Sequence, residues 1–220
     1  MNEQKALQLQ RVYTIWGIVL IVWSLYRVYV KGLPEWLEEL MIKPALFLGP
    51  TFIYVFFREK QTLASVGVTA GHFIRDLYLG LGIGVLFLLE GILTNMVKYG
   101  KLSLTPVMPT GQVDLLIAVV LALVSAFVEE VFVRGFLFTR LKDSYGSEVK
   151  AMVVSSIMYF LLLVPFIFVV SKLTGLNLAV FLMTNLIISF ANTMIFNETK
   201  TVTVPVLIHA FWNMTVVLYL

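Results

Sequence analysis

From Tyr13 onward the chain is a succession of apolar runs, each close to the roughly 20 residues that carry an α-helix across the hydrocarbon core of a bilayer. Hydropathy places them at about Tyr13 to Val30, Met41 to Phe57, Leu77 to Val97, Leu115 to Leu137, Met152 to Val170, Leu178 to Phe196 and Val202 to Leu220. In lipid every backbone polar group must be satisfied internally, so the expected fold is all-α: a polytopic transmembrane helical bundle of about seven spans. Only 13% of the 220 residues are charged, 60% are hydrophobic, and the mean hydropathy is +0.93. A soluble domain carries about 25% charged residues, so soluble enzymes, secreted disulfide scaffolds, nucleic-acid binders and disordered regulators are excluded.

The polar breaks are short: Lys31 to Pro34, Arg58 to Lys60, Lys98 to Lys101 with Pro106 and Pro109, Arg140 to Lys150, Lys172 to Gly175 and Asn197 to Lys200. None is long enough to be a soluble domain, and no internal repeat is visible. Residues 1–110 read as N-terminal transmembrane helices and 111–220 as a motif-bearing core, together one integrated membrane domain. The first run lacks a small-residue cleavage site, as expected of a retained span. Nine basic residues (Lys5, Arg11, Arg58, Lys60, Arg75, Arg140, Lys142, Lys150, Lys200) on one side oppose six (Arg27, Lys31, Lys43, Lys98, Lys101, Lys172) on the other. That bias predicts an N-terminus in the cytoplasm, and the expected location is the cell membrane.

Chemistry is narrowed further by what the chain lacks. It has no cysteine and only two histidines, His72 and His209, so thiol catalysis and a three-histidine zinc site are ruled out. No cofactor is expected, and zinc least of all. His72, in Ala70-Gly71-His72-Phe73, reads as a surface residue ahead of the third span.

Ionisable groups inside spans cost roughly 2.5–3.5 kcal/mol each at a helix centre on the insertion scale, so each asks for a reason. Three places qualify: Glu90; Glu129 and Glu130 with Arg134; and His209 with Asn213. Glu130 and Arg134, four apart, share a helix face and can neutralise one another. Glu129 is then a surplus carboxylate with a raised pKa, a second partner, or a task such as activating water. His209 and Asn213, also four apart, are either interhelical glue or a donor pair able to hold an oxyanion or a water. Glu90 is a protonated acid, a partner for Arg27 or Arg134, or a residue facing a wet cavity. Gly80, Gly82 and Gly84 mark a helix face that admits close approach of a neighbouring helix.

The stretch Ser125 to Leu137, with Glu129-Glu130 and Arg134, resembles the Glu-Glu-x-x-x-Arg motif of the CPBP (CAAX protease and bacteriocin-processing, or Abi) family of membrane endopeptidases. Pro205 to Asn213 resembles that family's closing His-x-x-x-Asn motif. The likeness covers roughly Gly111 to Leu220. The family's intervening Phe-x-x-x-His is incomplete: the register through Tyr159 puts Leu163 at the histidine position, and the register through Phe160 puts Val164 there.

The resemblance implies catalytic roles for Glu129 (activating water), Glu130 and Arg134 (supporting acid and its ion pair), and His209 with Asn213 (polarising the scissile carbonyl). It also implies a membrane-associated peptide or protein as substrate or partner, beside the lipid bilayer; no nucleic-acid partner is expected, because basic patches with interleaved aromatics do not appear. Members are described both as metalloproteases and as metal-independent glutamate proteases; Glu129 and His209 alone are too few ligands for a catalytic zinc. The alternative is an inactive relative serving as a membrane scaffold or regulator, because the second-motif histidine is missing.

Overall fold

A computed structural model describes residues 3–100, 115–169 and 174–219. Within them the chain forms seven continuous helical rods and no strand: α1 (Glu3–Tyr29), α2 (Glu35–Arg58), α3 (Phe73–Tyr99), α4 (Leu115–Tyr145), α5 (Glu148–Val169), α6 (Gly175–Thr199) and α7 (Thr203–Tyr219). The all-α membrane bundle expected from hydropathy is what the fold shows. Five rods are long and apolar enough to cross a membrane, namely α1, α2, α4, α5 and Phe73–Leu93 of α3. Thr203–Val216 of α7 is a shorter apolar helix, and α6 turns buried Asn185, Ser189, Asn192 and Thr193 inward. The breaks at Lys101, Pro106, Pro109 and Lys172 lie outside the described residues.

One expected break is mostly helix. Across the charged stretch from Arg140 to Lys150, where the sequence predicts a connection, α4 continues to Tyr145 and stops at Gly146, whose φ of +65 ends the helix in the left-handed conformation that glycine adopts without strain. Its charges are carried by partners: Arg140, 5% exposed, holds Glu59 Oε2 at 2.6 Å and the Ser65 carbonyl at 2.7 Å.

At the centre lies α4, whose residues Val131 to Phe138 are all buried. Phe47 of α2 meets Phe132 edge-on at 5.4 Å and Trp23 of α1 at 5.4 Å, tying α1, α2 and α4 together. Trp16 of α1 donates to the Met158 carbonyl of α5 at 3.1 Å. On the other flank α3 packs along α7. A Cβ at Gly80 would overlap Leu207, and one at Gly84 would overlap Phe211, so two of the three glycines serve the close approach read from sequence; Gly82 faces open space.

Two rods depart from the α ladder. In α2, turns of π-helix run over Glu38–Ile42 and Ile53–Arg58. Pro44 has no N–H for the Leu40 carbonyl and its ring crowds that carbonyl, which accounts for the widening ahead of it. In α4 the wide stretch is Val131–Phe138. There the Gly135 carbonyl accepts Thr139 Oγ1 at 2.5 Å and Arg140 Nη1 at 3.2 Å, side-chain donors that support the opened turn. Gly135 also lies against the turn Leu63–Val66, where a Cβ would collide with the Val66 carbonyl oxygen.

Candidate active site

Glu129 and Glu130 close the α-helical part of α4, and Arg134 stands on the wide turn that follows. The pairing expected from their spacing is present: Arg134 Nη1 reaches Glu130 Oε1 at 3.1 Å, with both side chains at most 1% exposed. Arg134 Nη2 donates to the Ser189 carbonyl at 2.9 Å and to Ser189 Oγ at 2.8 Å, and the guanidinium lies 4.9 Å from the centre of the Tyr159 ring. One arginine thus links α4, α5 and α6.

His209 of α7 completes the group. Its Nδ1 stands 2.8 Å from Glu130 Oε1. A carboxylate only accepts, so Nδ1 carries the proton and, in a neutral ring, Nε2 is left with its lone pair. Nε2 faces the Tyr159 hydroxyl at 3.3 Å and Glu129 Oε2 at 3.6 Å. Asn192 Nδ2 adds a further donor to Glu130 Oε1 at 3.2 Å. Helices α4, α5, α6 and α7 therefore converge on one buried cluster of Glu129, Glu130, Arg134, Tyr159, Asn192 and His209.

Glu129 is not the unpaired carboxylate that one-arginine accounting predicts. Lys43 of α2, 5% exposed, places Nζ 2.5 Å from Glu129 Oε1. The same ammonium donates to Ser125 Oγ at 2.5 Å and to Glu39 Oε2 at 3.1 Å. Of the three possibilities for the surplus acid, the structure supplies the second partner. By hydropathy Lys43 belongs to the charges on one side of the bilayer; the structure places it at the site instead. Glu129 Oε2 remains buried with no hydrogen bond.

Asn213 is not drawn into the cluster. It lies one turn beyond His209, half-buried, and among the described residues no hydrogen bond joins it to His209 or to either glutamate. The amide that does reach the cluster is Asn192, which sequence reading missed; its sole signal was a second asparagine in an apolar run. Glu90 is exposed on α3, and neither proposed arginine meets it: Arg27 pairs with Glu38 at 2.6 Å, and Arg134 is taken by Glu130. His72 is exposed just before α3, away from His209.

At the vacant histidine position Leu163 packs, half-buried, against the apolar core. The protic group on this stretch of α5 is Tyr159, 4% exposed, whose ring stands perpendicular to the His209 ring with centres 5.9 Å apart. A catalytic zinc, which the family resemblance leaves open, does not fit these residues. The Lys43 ammonium occupies Glu129 Oε1, the place of a cation, and among the described residues there is no group of three or more His, Asp or Glu side chains able to hold a metal. Beside Glu130, His209 and Asn192 the packing leaves only a crevice too narrow for a water molecule.

Comparison with known proteins adds one match. A family model described as type II CAAX prenyl endopeptidase Rce1-like matches residues 111–215. No curated protein and no solved structure matches the chain significantly. The matched segment contains Glu129, Glu130, Arg134, Tyr159, Asn192, His209 and Asn213, and excludes Lys43.

Proposed function

Since residues 111–215 belong to the Rce1-like family of CAAX prenyl endopeptidases, we propose that this integral membrane protein hydrolyses a membrane-proximal peptide bond with a water activated by Glu129. The observation that carries the reading is a buried carboxylate oxygen without a hydrogen bond, set beside a histidine nitrogen whose protein donor is the Tyr159 hydroxyl at 3.3 Å. Glu129 Oε2 is buried and unpartnered, and His209 Nε2 stands 3.6 Å from it. In this reading the attacking water is held by Glu129 Oε2 on the side of His209 and Tyr159, which orients it and gives its proton somewhere to go.

In this mechanism Glu129 takes the proton as the water oxygen attacks the scissile carbonyl carbon. The tetrahedral oxyanion is met by the Tyr159 hydroxyl, the one neutral donor facing this point, and by the Asn213 amide one turn along α7. Collapse returns the proton from Glu129 to the leaving amine. Glu130 holds His209 through Nδ1, and Arg134 and Asn192 hold Glu130, so these residues orient the ring without meeting the substrate. No metal enters the reaction. The family description names prenylated CAAX proteins as its substrates; for this chain the proposal extends to a peptide at the membrane surface, with the N-terminus cytoplasmic.

A second reading, an inactive relative acting as a scaffold, is favoured by two observations. Lys43 neutralises Glu129, and the crevice beside Glu130 and His209 has no room for a water molecule, whereas ligand pockets run to roughly 300–1,000 Å³. A peptidase assay in liposomes on a peptide library, comparing the parent with Glu129→Gln, separates the two. Cleavage abolished by Glu129→Gln supports the enzyme. Absence of any cleavage that depends on Glu129 establishes the scaffold.

A further inference from the structure

We propose that Lys43 is a positioning residue for this hydrolysis: its ammonium pins Oε1 of Glu129 so that Oε2 is the oxygen presented to the water. This inference rests on the enzymatic reading above and adds to the family-matched segment a residue from outside it.

A lysine ammonium has three protons. Lys43 Nζ has three acceptors: Glu129 Oε1 at 2.5 Å, Ser125 Oγ at 2.5 Å and Glu39 Oε2 at 3.1 Å. Every proton is committed, so Lys43 has none to offer a leaving amine, and its contribution to the reaction is geometric. Ser125 and Glu129 are four residues apart on α4 and present their oxygens on one face, where a single ammonium can hold both. Glu39, one turn before Lys43 on α2, fixes the lysine from its own helix. The aim of Lys43 is set by the wide turn Glu38–Ile42 ahead of it and by the Trp23 ring, 6.0 Å from Nζ.

The alternative that Lys43 prevents is also visible. Oε2 of Glu129 is already within 3.6 Å of His209 Nε2. A carboxylate released from Lys43 is free to turn about its last torsion and crowd the histidine, taking the place that the water needs. Three hydrogen bonds from a buried cation to a network on two helices hold it away.

The test uses the full chain in liposomes, with cleavage kinetics and unfolding midpoints for the parent, Lys43→Met, Lys43→Ala and Glu129→Gln. Lys43→Met is expected to lower kcat by about 100-fold with KM within about twofold, the size of effect that misplacing a reacting group by about 1 Å produces. Adding propylamine to Lys43→Ala should restore at least about tenfold of the loss, and propanol should not, since only the amine supplies the charge and donors. Unchanged kcat in Lys43→Met, with Glu129→Gln inactive, overturns the role of Lys43 and leaves the enzyme standing. Equal rescue by amine and alcohol reduces Lys43 to packing and overturns it too. If the parent shows no cleavage that depends on Glu129, the enzymatic reading falls first and the positioning role with it. Should Lys43→Met fail to fold, Ser125→Ala removes one of the three acceptors; a fall of about threefold or more in kcat is expected, and no change refutes the proposal.

Discussion

Arg134 offers a quantitative test of how the site is held. In Arg134→Met the side chain keeps similar length and packing but loses its hydrogen bonds to Glu130 Oε1 (3.1 Å), the Ser189 carbonyl (2.9 Å) and Ser189 Oγ (2.8 Å). Removing one partner of a buried ion pair typically costs about 3–5 kcal/mol, because the other charge is stranded. Glu130 is not wholly abandoned: His209 Nδ1 at 2.8 Å and Asn192 Nδ2 at 3.2 Å remain. Its Oε2 has no partner even in the parent. The expected loss is therefore at the lower end, about 3 kcal/mol, which for a chain of this length lowers the unfolding midpoint by roughly 6–12 °C. Reversible unfolding in detergent micelles, followed by tryptophan fluorescence, measures it. Adding Glu130→Gln to Arg134→Met removes the stranded charge and should recover about 1–2 kcal/mol, a coupling that a double-mutant cycle isolates. A loss below about 1 kcal/mol, or a double variant no more stable than Arg134→Met alone, would show that Glu130 is not held as an ionised partner of Arg134.

Four further outcomes follow from the same geometry. Glu129→Gln should abolish turnover and leave the unfolding midpoint within a few degrees, since Lys43 keeps Glu39 and Ser125; a midpoint falling as far as that of Arg134→Met would assign Glu129 a structural role instead. Gly135→Ala drives a methyl into the Val66 carbonyl oxygen, a backbone atom that cannot swing aside, and should cost about 1–3 kcal/mol in the same unfolding assay. Leu163→His, four residues after Tyr159 and on its face of α5, should raise cleavage by about 10²-fold, whereas Val164→His, one position further round, should not; equal effects would mean that the register is misread. Metal analysis of the purified protein should find no stoichiometric zinc, and one equivalent lost in His209→Ala would refute the metal-free mechanism.

The parts of the site legible in the sequence are those whose partners lie within one or two helical turns. Glu130 and Arg134 find each other across four residues because a helix brings them together wherever it is placed. Gly80 and Gly84 are legible for a related reason: small residues on one face announce a close neighbour, although they do not say that it is α7. Lys43 and Glu129, 86 positions apart, carry no such mark, and a lysine two residues inside an apolar run reads as a charge near the bilayer surface. The wide turn at Val131–Phe138 is equally hidden, since a uniformly apolar segment has no polar face from which a change of period could be read. That hidden turn bears on Asn213 only indirectly. His209 and Asn213 do share a face of α7, but the glutamates meet that face at His209, and α6 brings Asn192 to the remaining acceptor. Seven rods were countable from hydropathy, because length and polarity alone decide them; what each rod presents to its neighbours was not.

Lys43 also bears on modularity. The recognisable signature lies wholly in residues 111–215, so by motif alone the second half of the chain looks transferable: a cassette that might be grafted onto other membrane anchors or expressed apart. Physically it is not self-sufficient. Cut loose from α2, it would keep every signature residue and leave Oε1 of Glu129 bare in an apolar interior, where a carboxylate without a counter-ion is among the costliest groups to bury. The first half of such a chain then has two tasks, to cross the bilayer and to deliver one cation to one oxygen.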